Sequence, residues 1–463
     1  MSTKIEKLGI AQLVELYEKK QLSPVEVVEN QLRLIEETKN LNMFITVTGE
    51  LAMAQARQSQ QRYAAGKPLG KMDGVPYCAK DNIYTKGIRT TMASEIFKDF
   101  YPDENATVID ILNGSGALLL GKTNTHEFAS GSTTDVSYFG PVKNPRNSSK
   151  VPGGSSGGSG AALAADICPA SLGGDTTGSV RLPAAACGVV GMKATHGRVS
   201  AHNVYPLSGS LDQIGPMTKN VADNALLLGA ITGYDPLDSR SLMLPPGDFE
   251  CEIGRSVNGM KIGVPYAMYQ DIAQRPVCLA IDNVVSLLGQ GGAQIVELDS
   301  PDPDGCATAA CRIVRICEAY AIHRENILKH PDKINSEILS QMKLGDAFKA
   351  FEYVDALKNR TQFRERFREH IKDVDVMITP TTPILPTDIG AREVDIRGAK
   401  QSVFSLFNMF TIIASFTGFP ALSMPCAVEV GNLPIGVQLM GPEFSEPKIY
   451  RVAHWLETQL GPL

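Results

Sequence analysis

Two glycine- and serine-rich runs constrain this chain more than any other feature. The first reads Pro152-Gly153-Gly154-Ser155-Ser156-Gly157-Gly158-Ser159-Gly160, the second Gly173-Gly174-Asp175-Thr176-Thr177-Gly178-Ser179-Val180-Arg181-Leu182-Pro183. Glycine permits φ > 0 and close approach, so such runs gather bare backbone N–H groups and serine hydroxyls in one place. Each run leads into an apolar small-residue stretch. A flexible linker would be followed by the onset of a second domain, whereas Ala161-Ala-Leu-Ala-Ala-Asp166 continues as a packed helix pattern. The pair therefore reads as a site. Glycine-rich turns also cradle phosphates, but neither run is followed by Gly-Lys-Ser/Thr, which leaves a phosphate-binding protein as a minor alternative.

At 463 residues the length alone favours two or more domains. A formal net charge of −6 carries no basic footprint for direct nucleic-acid binding. Nine cysteines without a Cys-x-x-Cys pair read as buried small apolar side chains in a reducing compartment. Cys306, Cys311 and Cys317 fall on a helical stretch at gaps that form no metal-ligand face. The opening Met1-Ser-Thr-Lys-Ile-Glu-Lys lacks a signal pattern, and the richest apolar stretch, Val403 to Ile413, is too short to span a bilayer. The expectation is a soluble, cytoplasmic protein with no membrane partner.

The first 65 residues read as helical, with Ser23-Pro24 as N-cap and first helical residue. A second helix from about Glu50 ends at Gly66. Beyond it short apolar runs alternate with amphipathic helices. Val75–Ala79, Ala117–Gly121, Lys261–Val264, Gln294–Glu297 and Val374–Thr379 read as strands. Thr107–Asn113, Val221–Ala230 and Pro276–Leu288 read as helices between them. The class is α/β, with a large mixed or parallel central sheet. Residues 306–373 are almost wholly helical and read as a cap or insertion, because strands resume after them. The expected layout is one domain over 1–463: a helical segment 1–65, a catalytic core 66–305, the helical insertion 306–373 and a return to the core sheet over 374–463. Pro447–Leu460 is the final helix.

Upstream of the glycine runs stands Gly74-Val75-Pro76-Tyr77-Cys78-Ala79-Lys80-Asp81-Asn82-Ile83. With the two runs it resembles the amidase signature family of serine amidohydrolases. The likeness extends over most of the chain, through Gly121-Lys122-Thr123-Asn124-Thr125-His126-Glu127-Phe128-Ala129, Gly140-Pro141-Val142-Lys143-Asn144-Pro145, Asp235-Pro236-Leu237-Asp238-Ser239, Gly418-Phe419-Pro420-Ala421-Leu422-Ser423 and Pro434-Ile435-Gly436-Val437-Gln438. The resemblance implies the family's fold, a large mixed sheet with helices on both faces.

Amide hydrolysis needs a nucleophile, a proton shuttle and an oxyanion site. His126, the one histidine inside a family motif, reads as structural or substrate-side. A lysine can act as the base if burial makes its amine neutral. Lys80 suits this, because the apolar strand before it would carry it inward. The resemblance implies a Ser–cisSer–Lys triad: Ser179 as nucleophile, Ser155 after a cis Gly154–Ser155 peptide as proton relay, and Lys80 as base. Ser156 is the rival for the relay. Thr176, Thr177, Gly178 and Ser179 would aim N–H groups at the oxyanion, with Thr177 standing where many members carry glycine. Asp175 and Arg181 would brace that turn. Ala129, Ser130, Gly131 and Ser132 match the substrate-facing segment. Lysine and serine would supply the chemistry, so no metal or organic cofactor is implied.

The length and several motifs also resemble the A subunits of glutamyl-tRNA(Gln) amidotransferases. Those use an arginine and an aspartate to grip glutamine's carboxylate and amine. Here Ser340 or Gln341 stands at the arginine position and Asn408 at the aspartate position. Losing both charged anchors favours a stand-alone amidase for a less charged small amide, with a glutaminase A subunit as the alternative. A homodimer fits the family, and a small partner subunit stays open. A catalytically silent scaffold is a further, minor alternative.

Overall fold

The computed structural model describes residues 4–461, apart from the side chains of 427–430. The outermost positions of the expected layout, 1–3 and 462–463, lie outside the described residues. Among the described residues thirteen strands run in chain order: β1 (Phe44–Val47), β2 (Pro76–Lys80), β3 (Leu118–Thr123), β4 (Ala170–Asp175), β5 (Val190–Lys193), β6 (Gln213–Thr218), β7 (Lys261–Val264), β8 (Gln294–Glu297), β9 (Val376–Pro380), β10 (Glu393–Ile396), β11 (Ala399–Ser402), β12 (Ala421–Val430) and β13 (Leu433–Met440). Eleven of them form one sheet in the order β1-β3-β2-β4-β6-β5-β12-β13-β9-β7-β8, and β10–β11 make a separate hairpin. The sheet is mixed. β3, β2 and β4 run parallel, as do β8, β7 and β9, while the central β4-β6-β5-β12-β13-β9 pairings are antiparallel.

Helices cover both faces, and the strand period shows why. Tyr77 and Ala79 join one hydrophobic core while Cys78 between them joins another; Leu119 likewise opposes Leu118 and Leu120. Strands buried on both sides lose the polar alternation that marks a half-exposed strand, so they read as continuous apolar runs.

The N-terminal helix Pro24–Glu37 starts as its sequence dictates. Ser23 Oγ accepts from Glu26 N at 3.2 Å, and the Glu26 carboxylate accepts from Ser23 N at 2.8 Å. The stretch read as wholly helical also supplies β1, which pairs antiparallel with β3 and closes that sheet edge. Helices Cys306–Lys329, Ser336–Lys343 and Ala350–His370 fill the span before β9. The cysteine reading needs correction. Cys78, Cys168, Cys187, Cys311 and Cys426 are buried, but Cys251 and Cys306 are exposed and Cys278 and Cys317 half-exposed. Among the described residues no helix is long and apolar enough to cross a membrane.

The glycine runs are more regular than turns. Gly173, Gly174 and Asp175 belong to β4, and Gly157–Ala164 is already helix. The residue after β3 crowds the first run: a Cβ on Gly158 would lie 2.4 Å from the Asn124 carbonyl oxygen.

Candidate active site

Two neighbouring strands converge at their ends to build the site. β2 and β4 run parallel, which brings Lys80 at the end of β2 beside the loop that follows Asp175 at the end of β4. A crevice at the carboxyl ends of parallel strands is the usual place for a ligand in such sheets.

Lys80 is 1% exposed, and its Nζ donates to Ser155 Oγ at 2.7 Å and to the Gly174 carbonyl at 3.4 Å. Burial lowers its pKa to about 7, against the opposing pull of Asp212 and Asp175. The amine is therefore half neutral at neutral pH. Gly154–Ser155 is a cis peptide. The Ser155 carbonyl accepts from Thr125 Oγ1 at 2.7 Å, His126 N at 3.1 Å and Thr134 Oγ1 at 3.2 Å. Ser156 plays a different part from its neighbour. Its hydroxyl exchanges hydrogen bonds with Gly174, and its N–H donates to the Ser179 carbonyl at 3.2 Å, stapling the two runs together. Ser179 Oγ makes no hydrogen bond among the described residues.

The turn from Asp175 to Ser179 is held from outside. Gly178 sits at φ 132°, and a Cβ there would lie 2.3 Å from Thr411 Oγ1, so only glycine fits. Asp175 Oδ1 accepts from Gly178 N at 2.7 Å, and Arg181 grips the same carboxylate through Nε at 3.0 Å and Nη2 at 2.9 Å. Gly178 is thus corrected as an oxyanion donor, because its N–H is already spent on Asp175. Among the described residues nothing accepts from the N–H groups of Thr176, Thr177 and Ser179.

Thr177 and Asn408, both departures from the expected pattern, form a pair. Thr177 Oγ1 donates to Asn408 Oδ1 at 3.0 Å, and Asn408 Nδ2 donates to the Phe404 carbonyl at 2.8 Å. The two positions lie 231 residues apart, so no local spacing could reveal the coupling. Asp212 is another residue that the sequence left unmarked. It accepts from Thr176 Oγ1 at 2.6 Å and faces Lys80.

The segment 129–132 divides. Ala129 lines a small crevice with Lys80, Thr176 and Asp212. Gly131 and Ser132 line a groove with His126 and Gln341. Ser130 lines neither, and the Ser130 and Ser132 hydroxyls are buried without a partner among the described residues. Burial drives the His126 pKa down to about 4, and its Nδ1 accepts from Thr134 N at 3.1 Å, so the ring is neutral and structural. A Cβ on Gly131 would lie 2.2 Å from His126 Nε2. Gly131→Ala is therefore expected to displace that ring and cost about 1–3 kcal/mol of stability; chemical denaturation would show it, and an unchanged midpoint would mean that the ring moves freely.

A larger cavity of about 620 Å³ opens against Thr177 and is also lined by Arg315, Gln341, Phe404 and Asn408. Gln341 thus takes the position facing the cavity, whereas Ser340 is exposed and bonds back to the Ser336 carbonyl. Among the described residues no cluster of three or more His, Cys, Asp or Glu side chains converges to hold a metal ion.

Known proteins share this fold. The family model for amidases matches residues 26–449. The A subunit of glutamyl-tRNA(Gln) amidotransferase from Alkaliphilus metalliredigens is 37% identical, with 99% of this chain and 97% of that protein aligned. Its Geobacter counterpart is 38% identical over 98% and 97% of the two chains. A solved chain from a vestigial protein complex bearing on the origins of an s-triazine catabolic enzyme superposes with a TM-score of 0.93 at 31% identity, covering 98% of this chain and 99% of that one. The Thermotoga maritima A subunit gives a TM-score of 0.83 at 32% identity, covering 99% and 96%. A match over nearly the whole length, in sequence and in fold, makes this chain a member of the amidase signature family, an enzyme that hydrolyses carbon–nitrogen bonds of amides.

Proposed function

We propose that the chain hydrolyses a small carboxylic or urea-type amide through an acyl-enzyme on Ser179. The observation that carries this reading is the buried Lys80 amine, brought to about pH 7 by burial and held 2.7 Å from Ser155 Oγ. Lys80 takes a proton from Ser155 as Ser155 takes one from Ser179. The Ser179 oxygen attacks the carbonyl, and the C–N bond breaks. The leaving nitrogen receives the proton through Ser155 and departs as ammonia or an amine. Water then attacks the ester, the same relay carries its proton, and carboxylate leaves. The free N–H groups of Thr176, Thr177 and Ser179 face the oxyanion, each such donor contributing about 2.7–4 kcal/mol. Ala129, Gly131 and Ser132 border the substrate.

A second reading, the glutaminase A subunit of a tRNA-dependent amidotransferase working with partner chains, is favoured by the names of the curated relatives. Against it stands the cavity's charge. A glutamine ammonium needs a carboxylate, yet Asn408 is a carboxamide engaged by Thr177. The TM-score to the solved A subunit is also below that to the s-triazine-related chain.

A fluorophosphonate serine probe is expected to add one label to the intact protein, at Ser179 and absent from Ser179→Ala. Ammonia release is then measured across aliphatic, aromatic, urea-type and glutamine amides. Labelling elsewhere, or none, would remove the acyl-enzyme reading. Glutamine as the preferred substrate would establish the second reading.

A further inference from the structure

Arg315 is a buried cation without an anion among the described residues. It lies on the helix Cys306–Lys329, is 7% exposed and lines the cavity beside Thr177. Its guanidinium sits over the Phe404 ring, 5.4 Å from the centroid. Among the described residues no carboxylate reaches it and no hydrogen bond satisfies it. Other buried cations in this fold are treated differently: Arg181 clasps Asp175 with two nitrogens, and Lys122 is held by the Ile83 carbonyl and Thr90. A buried arginine left unpaired is costly, and an anion entering the cavity would supply the missing partner.

The rest of the cavity narrows the ligand. Arg312 and Arg392 line it too, and the one carboxylate among its lining residues is Glu337. Arg392 Nε holds Glu337 at 2.7 Å while its Nη1 holds Asp135 at 2.8 Å, so Glu337 already has a cationic partner. Burial lowers the Arg315 pKa only to about 10, which leaves it charged at neutral pH. Gln341 Oε1 is buried without a partner, an acceptor waiting for an N–H donor. Anions are welcome here, and an ammonium finds no free carboxylate.

We propose that Arg315 binds a carboxylate of the substrate, and that the substrate is an amide carrying an acid but no neighbouring amine, a monoamide of a dicarboxylic acid. This rests on the amidase reading above. It revises the expectation of a less charged amide: one negative charge is wanted, the zwitterion is not. Planar bidentate pairing with carboxylate is what a guanidinium does best, and Phe404 holds the plane in place.

Three amides isolate the two charges. Glutaramate differs from glutamine only in lacking the ammonium, and from pentanamide in carrying a carboxylate where the latter has a methyl. The wild-type enzyme is expected to prefer glutaramate over both by about 30- to 100-fold in kcat/KM, the size of a charge-assisted hydrogen-bonded pair. Arg315→Gln should lose that factor on glutaramate, chiefly through KM, and stay within about threefold on pentanamide. Arg315→Lys should recover part of it, and neither variant should melt lower than wild type. Equal losses on all three amides would overturn the proposal in favour of a structural role. Calorimetric binding of glutarate, the expected product, needs no turnover. Binding kept in Ser179→Ala and lost in Arg315→Gln upholds the assignment even if no amide is cleaved, which would defeat only the amidase reading. No glutarate binding to the wild-type protein would overturn it.

Discussion

Lys80→Met is expected to lower kcat/KM by at least about 10⁴-fold on any amide the enzyme cleaves, as Ser179→Ala should. Methionine fills the buried volume but cannot take a proton from Ser155, whose hydroxyl has the Lys80 amine as its partner at 2.7 Å. Because the two residues serve one proton path, the double variant should fall no further than either single one. The wild-type pH profile follows from the same group. Burial holds the Lys80 pKa at about 7, and only the neutral amine accepts a proton. Below about pH 7 kcat/KM should therefore drop tenfold per unit, and above it level off. Stability moves in the same sense. The unfolded lysine protonates near 10.5, so the folded chain's lower value gives a contribution that is full above that pH and lost as pH falls toward about 7. Lys80→Met removes this burden and should melt at least as high as wild type at pH 7. Activity above about 1% in the variant, or a flat profile from about pH 5.5 to 8, would show that Lys80 is not the base.

The second large effect concerns stability. Arg181 is fully buried and touches five acceptors: both Asp175 oxygens, the Thr411 carbonyl at 2.9 Å, Gln438 Oε1 at 2.6 Å and Ser415 Oγ at 2.8 Å. Burial pushes the Asp175 carboxyl upward, and the Arg181 charge more than reverses this, leaving it below the ordinary carboxylate value. Arg181→Met would strand a buried carboxylate and free three further acceptors, a loss of about 3–5 kcal/mol. Since Asp175 also holds Gly178 N, turnover at temperatures where the variant stays folded should fall as well. Equilibrium urea unfolding measures the first effect. A change below about 1 kcal/mol would mean that the pair nearly cancels its own desolvation.

Local chemistry made much of this molecule legible. Ser23-Pro24 capped its helix, and β7 and β8 ran over the residues that their apolar patterns marked. The runs around β2, β3 and β9 were placed to within two residues, because a strand buried on both faces is an uninterrupted apolar stretch. β4 was not legible as a strand: its Gly173-Gly174 reads as a turn, and only the packing of Val180 and Ser156 against Gly173 explains a glycine in the middle of a sheet. β1 was hidden for another reason. Its four residues sit between two helices and find their strand partner only in β3, 70 and more positions away.

By itself the sequence determined which residue types could do chemistry and the turns that would carry them: Lys80 at the end of an apolar run, Ser155 and Ser179 in glycine-rich segments. These depend on neighbours a few positions away, through glycine's small size and the strand period. The tertiary structure decided what each group can do. It withdrew the Gly178 N–H to Asp175, tied Thr177 to Asn408 and left Arg315 without a counter-ion among the described residues. Those outcomes depend on contacts between residues hundreds of positions apart, and on a low-dielectric interior that exists only once the sheet and its helices have closed.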